Sequence, residues 1–309
     1  MGSNKPILSQ EEFLSIVRST LVKFVAEQGL DRTSGATEIE FPSASLDANG
    51  IPRFTMTLPA SLIRNDMGAA CVFYDDVAGR GFEFALRRFL DLHLTSDDVF
   101  IDVGAHFGVH SLTAATNLPR QVSVLAIEPH PGNSARLRGW VELNQLETDI
   151  LVIPKAIGER EGVLPMWLSG SSMGHSLRTG AHEVGSTAME VGVTTVDRLL
   201  VDHPHLQWRR VILKIDVEGC ELEVLTGAQQ LFATGNVAAV IWEKGAFHSR
   251  AAQDRRDTAV FDFLDVRGFE HFYMEDETLG GRIIPVDRRD LLCNIYSLVR
   301  NFPRNERYG

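Results

Sequence analysis

The run Val99-Phe100-Ile101-Asp102-Val103 constrains the fold more than any other segment, because it is almost continuously apolar and stops at Gly104-Ala105-His106-Phe107-Gly108. A strand without polar alternation is buried on both faces, which happens in parallel sheets covered by helices. Helical spacing begins directly after Gly108, over 109–117, and the order strand, turn, helix then recurs along the chain. Strands are read at 122–127, 150–153, 211–215, 237–242, 270–273 and 294–299, with helices at 133–144, 221–233 and 258–267. This order predicts a doubly wound, mostly parallel seven-stranded α/β sheet.

The part before Glu83 reads differently. Ser9 with Glu12 three residues on forms a capping box, and Phe13, Val17, Leu21, Phe24 and Val25 recur at helical spacing. The stretch 40–59 alternates around Asn49-Gly50, a hairpin signal that puts Phe54, Met56 and Leu58 on one face. Residues 1–82 are therefore expected to be a helix and small β appendage, either a lid or plain packing, and 83–309 the main domain.

Composition narrows the partners. In 309 residues, 44% hydrophobic, 41 acidic side chains face 30 Lys and Arg, giving a net charge of -11 without a basic run. Such a surface repels nucleic-acid phosphates, so no nucleic-acid partner is expected. Cys71, Cys220 and Cys293 are isolated, which predicts free thiols rather than a disulfide or zinc framework. No stretch resembles a signal peptide or a membrane span, and a cytoplasmic protein is the expectation.

The chemistry gathers at predicted strand ends. Glycines at the exit of a buried strand let the chain turn sharply and let a ligand approach closely. Glu128, which ends the next strand about 20 residues on, suits a bidentate hydrogen bond to a ribose diol. A pyrophosphate turn wants G-x-G-x-x-G, yet here His106 stands where the middle glycine would be. The pair fits adenosine on a methionine tail better than a dinucleotide. In Lys214-Ile-Asp216-Val-Glu218-Gly219-Cys-Glu221, strand alternation sends Lys214, Asp216 and Glu218 the same way, so charges converge where open α/β sheets bind ligands.

Four ordered segments, Phe100 to Gly108, Glu128-Pro129-His-Pro131-Gly-Asn133, Thr194-Thr195-Val-Asp197-Arg-Leu199, and Leu213 to Glu221 with Gly227-Ala228, resemble the FkbM family of methyltransferases. The likeness covers about half of the chain, and His106 departs from it, since the family usually has Asn there. The resemblance implies a class I, Rossmann-like methyltransferase fold, S-adenosyl-L-methionine as donor, and transfer to a hydroxyl oxygen of a small natural product or glycan. It places Asp102, Gly104, His106 and Gly108 near the methionine end and Glu128 with Pro129 at the ribose. Asn133 would lie near the adenosine, Ala156 and Ile157 against the adenine, and Asp216 and Glu218 beside the methyl-transfer site.

A hydroxyl is a weak nucleophile, so a general base is expected within hydrogen-bond reach of it. The order of expectation is Asp216, then His175, then Glu243, with Glu218 and His248 behind. Trp167, Trp242 and Phe247 are candidate ring-stacking residues, though aromatics beside strands more often belong to a core. The 169–180 loop, rich in Gly and Ser, suits a substrate gate or an ordinary surface loop. Asp216, Glu218 and Glu243 could form an oxygen-rich site of the kind Mg²⁺ accepts, but the usual Asp-Asn ligand pair is not evident, so no required metal is expected. Two rivals stay open, a nicotinamide-dependent oxidoreductase and a non-catalytic S-adenosylmethionine-binding protein, as does homo-oligomerisation.

Overall fold

The computed structural model describes residues 10–27, 38–117, 122–178, 184–206, 209–244, 250–274, 283–286 and 293–303. The chain divides into two compact units, one of Met1–Phe82 with Ser171–Met173, the other of Glu83–Gly170 with Gly174–Gly309.

In the first unit, helix α1 (Gln10–Glu27) is followed by strands β1 (Glu38–Pro42) and β2 (Thr55–Pro59) and helices α2 (Ala60–Asn65) and α3 (Met67–Val77). Ser9 lies outside the described residues, as do the side chains of Phe13 and Val25, but Val17 and Leu21 are buried as their spacing predicts. The strands pair antiparallel, Glu38 opposite Pro59. Asn49-Gly50 does not form the two-residue hairpin turn that its sequence signals. Asp47 takes over, its carboxylate accepting the Asn49 and Ile51 N–H groups at 2.8 and 2.9 Å, and the connection widens to 43–54. Phe54, Met56 and Leu58 are buried together, and Phe73 packs edge-on against Phe24 and Phe41. Asp66 caps α3 through the Ala69 N–H and also accepts hydrogen bonds from the Ser172 N–H and hydroxyl, which binds Ser171–Met173 into this unit.

The second unit runs α4 (Phe84–His93), β3 (Asp98–Val103), α5 (Val109–Ala115), β4 (Ser123–Ile127), α6 (Pro131–Leu143), β5 (Ile150–Ile153), β6 (Ala156–Ile157), β7 (Gly162–Ser169), β8 (Val184–Thr194), α7 (Val196–Asp202) and β9 (Arg210–Ile215). It continues through α8 (Glu221–Thr226), α9 (Gln229–Ala233), β10 (Val237–Lys244), α10 (Arg250–Asp265), β11 (Phe269–Met274), β12 (Ile283–Pro285) and β13 (Cys293–Val299). All seven expected strands lie in one sheet of order β12-β11-β13-β10-β9-β3-β4-β5. The sheet has eight strands rather than seven, because the three-residue β12, too short to show a pattern, adds an edge. Strands β10, β9, β3, β4 and β5 run parallel, and β13 reverses direction against both β10 and β11.

The order β5-β4-β3-β9-β10 contains a reversal. The chain steps from β3 outward to β4 and β5, then returns to the other side of β3 with β9, so the connections after β3 and β9 part at the carboxyl edge. Open α/β sheets bind ligands at such a switch point. Val103, Ile127 and Ile215 are register neighbours at the last positions of β3, β4 and β9, so Gly104, Glu128 and Asp216 follow side by side.

Two features depart from expectation. The helix predicted over 221–233 is divided into α8 and α9 at Gly227, where a Cβ would lie 2.1 Å from the Gly158 carbonyl oxygen. Asp197 holds the second piece, its carboxylate accepting the Gln230 and Leu231 N–H groups at 2.9 Å each. A separate three-stranded sheet among the described residues, β6-β8-β7, lies outside the expected strands.

Candidate active site at the carboxyl edge of the sheet

Lys214 organises the site from below. It faces Asp102 across the parallel β3 and β9 register, with its Nζ 3.2 Å from Asp102 Oδ1, 3.4 Å from Asp216 Oδ2 and 3.1 Å from the Gly104 carbonyl that accepts its hydrogen bond. Burial works against the ammonium charge, but Asp102, Asp216 and Glu83 outweigh it and raise the Lys214 pKa above the ordinary range. Asp102 is 0% exposed, and its second oxygen accepts the Ser111 hydroxyl at 2.7 Å. A carboxylate enclosed in this way holds Lys214 and α5 and has no surface to offer the methionine end of a ligand.

The glycines also serve the chain itself. Gly104 has φ +80°, and a Cβ there would sit 1.8 Å from the Asp216 carbonyl oxygen. Gly108 has φ +93°, and a Cβ there would sit 2.1 Å from Leu137 Cδ1 of α6. Both are needed for close packing at the switch, a reason independent of any ligand. His106 between them also adopts positive φ, +52°, a conformation uncommon outside glycine.

Four of the loop's five N–H groups have partners in the chain. Those of Gly104 and Ala105 both donate to Ile127 O at 3.0 Å, that of His106 donates to Glu128 Oε2 at 2.9 Å, and that of Gly108 donates to Ala105 O at 2.8 Å. Glu128 Oε1 accepts the His130 N–H at 2.8 Å, and the Asn133 side chain bonds the same carboxylate. Burial pushes the Glu128 pKa up to about 7 against the pull of these donors. Of the roughly four acceptor positions on a carboxylate, one is left for a ligand hydroxyl, so the expected two-oxygen grip on a ribose diol reduces to a single bond.

Further along the edge, Asp216, Glu218 and Glu243 bring one carboxylate oxygen each within 4.8 Å of one another. Glu218 stands at φ +55° with its carbonyl accepting the Ser176 hydroxyl at 2.7 Å. Burial raises the Asp216 pKa, opposed by Lys214 and reinforced by Glu218 and Glu83. Burial, then Asp216, Glu218 and Glu221, push Glu243 well above the usual carboxylate range. Glu221 itself accepts the Gly219 N–H at 2.8 Å and is raised by burial to about 8. Glu243 comes from β10, which pairs in parallel with β9 and so carries it to the same edge as the other two.

The remaining candidates scatter. His175 Nδ1 accepts the Ser169 N–H at 3.1 Å, which leaves the ring proton on Nε2, and the ring lies 4.5 Å from that of His130. A neutral imidazole of that tautomer donates at Nε2, which argues against its expected role as a base. Pro129 is half-buried beside Glu128, and Asn133 is buried with its backbone N–H donating to His130 Nδ1 at 3.3 Å. Ala156 and Ile157 are buried: Ala156 packs with Met166, Val191 and Val193, and Ile157 joins the main core. Trp242 is likewise core, with its indole N–H donating to Ser297 Oγ at 3.0 Å, whereas Trp167 is half-buried in β7. Phe247, His248 and residues 179–180 lie outside the described residues. Glu83 and His110 escaped sequence reasoning. They pair 2.5 Å apart, and although burial resists it, His110 and Lys214 lower the Glu83 pKa to about 2. Glu83 sits in the left-handed region one residue before α4, a position with no sequence signature.

The methyltransferase FkbM domain profile matches residues 102–273, more than half of the chain, from the buried Asp102 to β11. This chain belongs to the FkbM methyltransferase family. Over 167 residues it is 30% identical to the hexuronic acid methyltransferase AglP of Haloferax volcanii, a stretch that is 52% of this chain and 62% of that protein. The chain thus spans less than two thirds of the curated relative it matches. Among solved structures it is similar to the methyltransferase FkbM of Methylobacillus flagellatus KT, at 17% identity and TM-score 0.43 over 66% of this chain and 44% of that one. It is also similar to the SAM-dependent methyltransferase of Agrobacterium tumefaciens, at 10% identity and TM-score 0.42 over 86% of this chain and 70% of that one. At such scores the family assignment rests on the residue-level match. Among the described residues no helix is long and apolar enough to cross a membrane.

Proposed function

We propose that this FkbM-family chain is an S-adenosyl-L-methionine-dependent O-methyltransferase acting on a hydroxyl of a carbohydrate or other small natural product. The observation that carries the reading is the state of the 104–108 loop. A dinucleotide needs backbone N–H groups aimed at its pyrophosphate, and here four of five donate to the chain's own oxygens, one of them to a carboxylate. A donor without phosphates makes no such demand, which favours it over the nicotinamide reading. The residues fit it: Glu128 keeps one acceptor position for a ribose hydroxyl, and the acidic edge of Asp216, Glu218 and Glu243 attracts a sulfonium. The acceptor class is supported by the hexuronic acid methyltransferase that the chain resembles.

When bound, the donor supplies an electrophilic methyl: an O–CH3 bond forms as the S–CH3 bond breaks, and the hydroxyl proton must leave. The chain's part is to align the partners within about 3 to 3.5 Å and to take that proton. In this reading Asp216 takes it, supported by its partial exposure at the switch point and by Lys214 beside it. A net negative edge also favours a neutral hydroxyl over an ionised carboxylate as acceptor, since a second anion there is repelled.

The test is transfer of isotope-labelled methyl from S-adenosyl-L-methionine to a panel of sugars, uronic acids and glycosides. A product that survives mild alkali is an ether from a hydroxyl, and an Asp216→Asn variant should form it at least about a hundredfold more slowly. An alkali-labile ester would overturn the hydroxyl assignment, and no labelled product with any acceptor would favour a binding role without catalysis.

A further inference from the structure

We propose that Asp216, Glu218 and Glu243 hold a hard divalent cation, of the kind that takes oxygen ligands. Two adjacent strand ends supply the donors: Asp216 and Glu218 follow β9, and Glu243 lies near the end of β10. One carboxylate oxygen from each lies within 4.8 Å of the other two, so a single point is no more than about 2.8 Å from all three. Shifts of a few tenths of an ångström then give the 2.3 to 2.6 Å typical of Ca²⁺, and slightly larger ones the 2.0 to 2.1 Å of Mg²⁺.

A second observation separates this cluster from ordinary acidic crowding. Glu243 Oε2 is shut off from solvent and has no hydrogen-bond partner among the described residues. An enclosed carboxylate oxygen normally has a donor, and going without one is costly. Lys214 does not supply it, since its ammonium is engaged by Asp102, Asp216 and the Gly104 carbonyl. Glu221, also near, is committed to the Gly219 N–H. Three converging carboxyl groups with one enclosed oxygen left over match the partial ligand set of an ion that keeps several positions for water or an alcohol.

The site stands on geometry alone, whatever the reaction. Its role in catalysis rests on the methyl-transfer reading, in which an acceptor hydroxyl bound to the ion would lose its proton more readily.

Titration of the metal-free full chain with Mn²⁺, read by the loss of its free electron-paramagnetic-resonance signal, tests the proposal. One ion per chain should bind, Ca²⁺ or Mg²⁺ should displace it, and Glu243→Gln and Glu218→Gln should each weaken it at least about tenfold while circular dichroism shows the fold retained. Glu159→Gln, an exposed control on a chain of net charge -11, should leave binding unchanged. No Mn²⁺ uptake up to about 10 mM, or equal affinity in all the variants, would overturn the site. S-adenosylhomocysteine binding, measured on the same metal-free samples, reports on the donor site separately, so each idea can fail without the other.

Discussion

Gly104 shows how tightly single residues are held at the switch point. Its φ of +80° and the Asp216 carbonyl 1.8 Å from where a Cβ would be leave no side chain tolerable. Gly104→Ala should lose at least about 3 kcal/mol in urea unfolding, whereas Gly139→Ala, inside α6 with open space around it, should gain about 0.5 to 1 kcal/mol. Glu128 predicts a pH effect. Its folded pKa is raised to about 7 against 4.5 for the free group, so the folded chain binds the extra proton and stability falls as pH rises from about 5 to 8. The Glu128 share of that loss is on the order of 2 kcal/mol, and a Tm flat across the window would contradict the burial argument. Glu83 has the opposite sign, but its lowered value confines it to acid below about pH 4.5. The sequence singles out Gly104 and Glu128. It could not show how far they are engaged by the chain itself, because His106 on Glu128 and Lys214 on Gly104 lie 22 and 110 positions away.

At the scale of elements, β3 and β9 are joined by an ion pair as well as by a ladder. Lys214→Met would leave Asp102 charged and enclosed, a change expected to cost about 3 to 5 kcal/mol. Adding Asp102→Asn, which keeps an oxygen for Ser111, should recover more than half of that loss. Chemical denaturation of the three variants measures this, and simple additivity of the two single losses would mean the side chains act independently. The central strands β3, β4, β9 and β10 are legible because burial on both faces writes near-continuous apolar runs. The β7–β8 pair was not, since Val163 and Leu164 face solvent, and Pro165, Gly185 and Gly192 interrupt the pattern. The 221–233 helix looked continuous because a single glycine lowers helix propensity only by about 1 kcal/mol, while the Gly158 backbone that forces the break is remote in sequence.

For the molecule as a whole, the two units differ in what they contribute. The expected site residues all fall in Glu83–Gly170 or Gly174–Gly309, whereas Met1–Phe82 with Ser171–Met173 forms its own packed body. The family motifs sort the same way once seen in three dimensions: Thr195 and Asp197 cap α7 and α9 and serve architecture, while the segments after β3, β4 and β9 follow side by side at one edge of the sheet. The central claim is that this edge receives an adenosyl sulfonium compound. Isothermal titration of the full chain with S-adenosylhomocysteine tests it most directly. The account predicts one site, affinity reduced at least about tenfold by Glu128→Ala, and no heat with NAD⁺. Binding of NAD⁺ in place of S-adenosylhomocysteine, or S-adenosylhomocysteine affinity indifferent to Glu128, would contradict it.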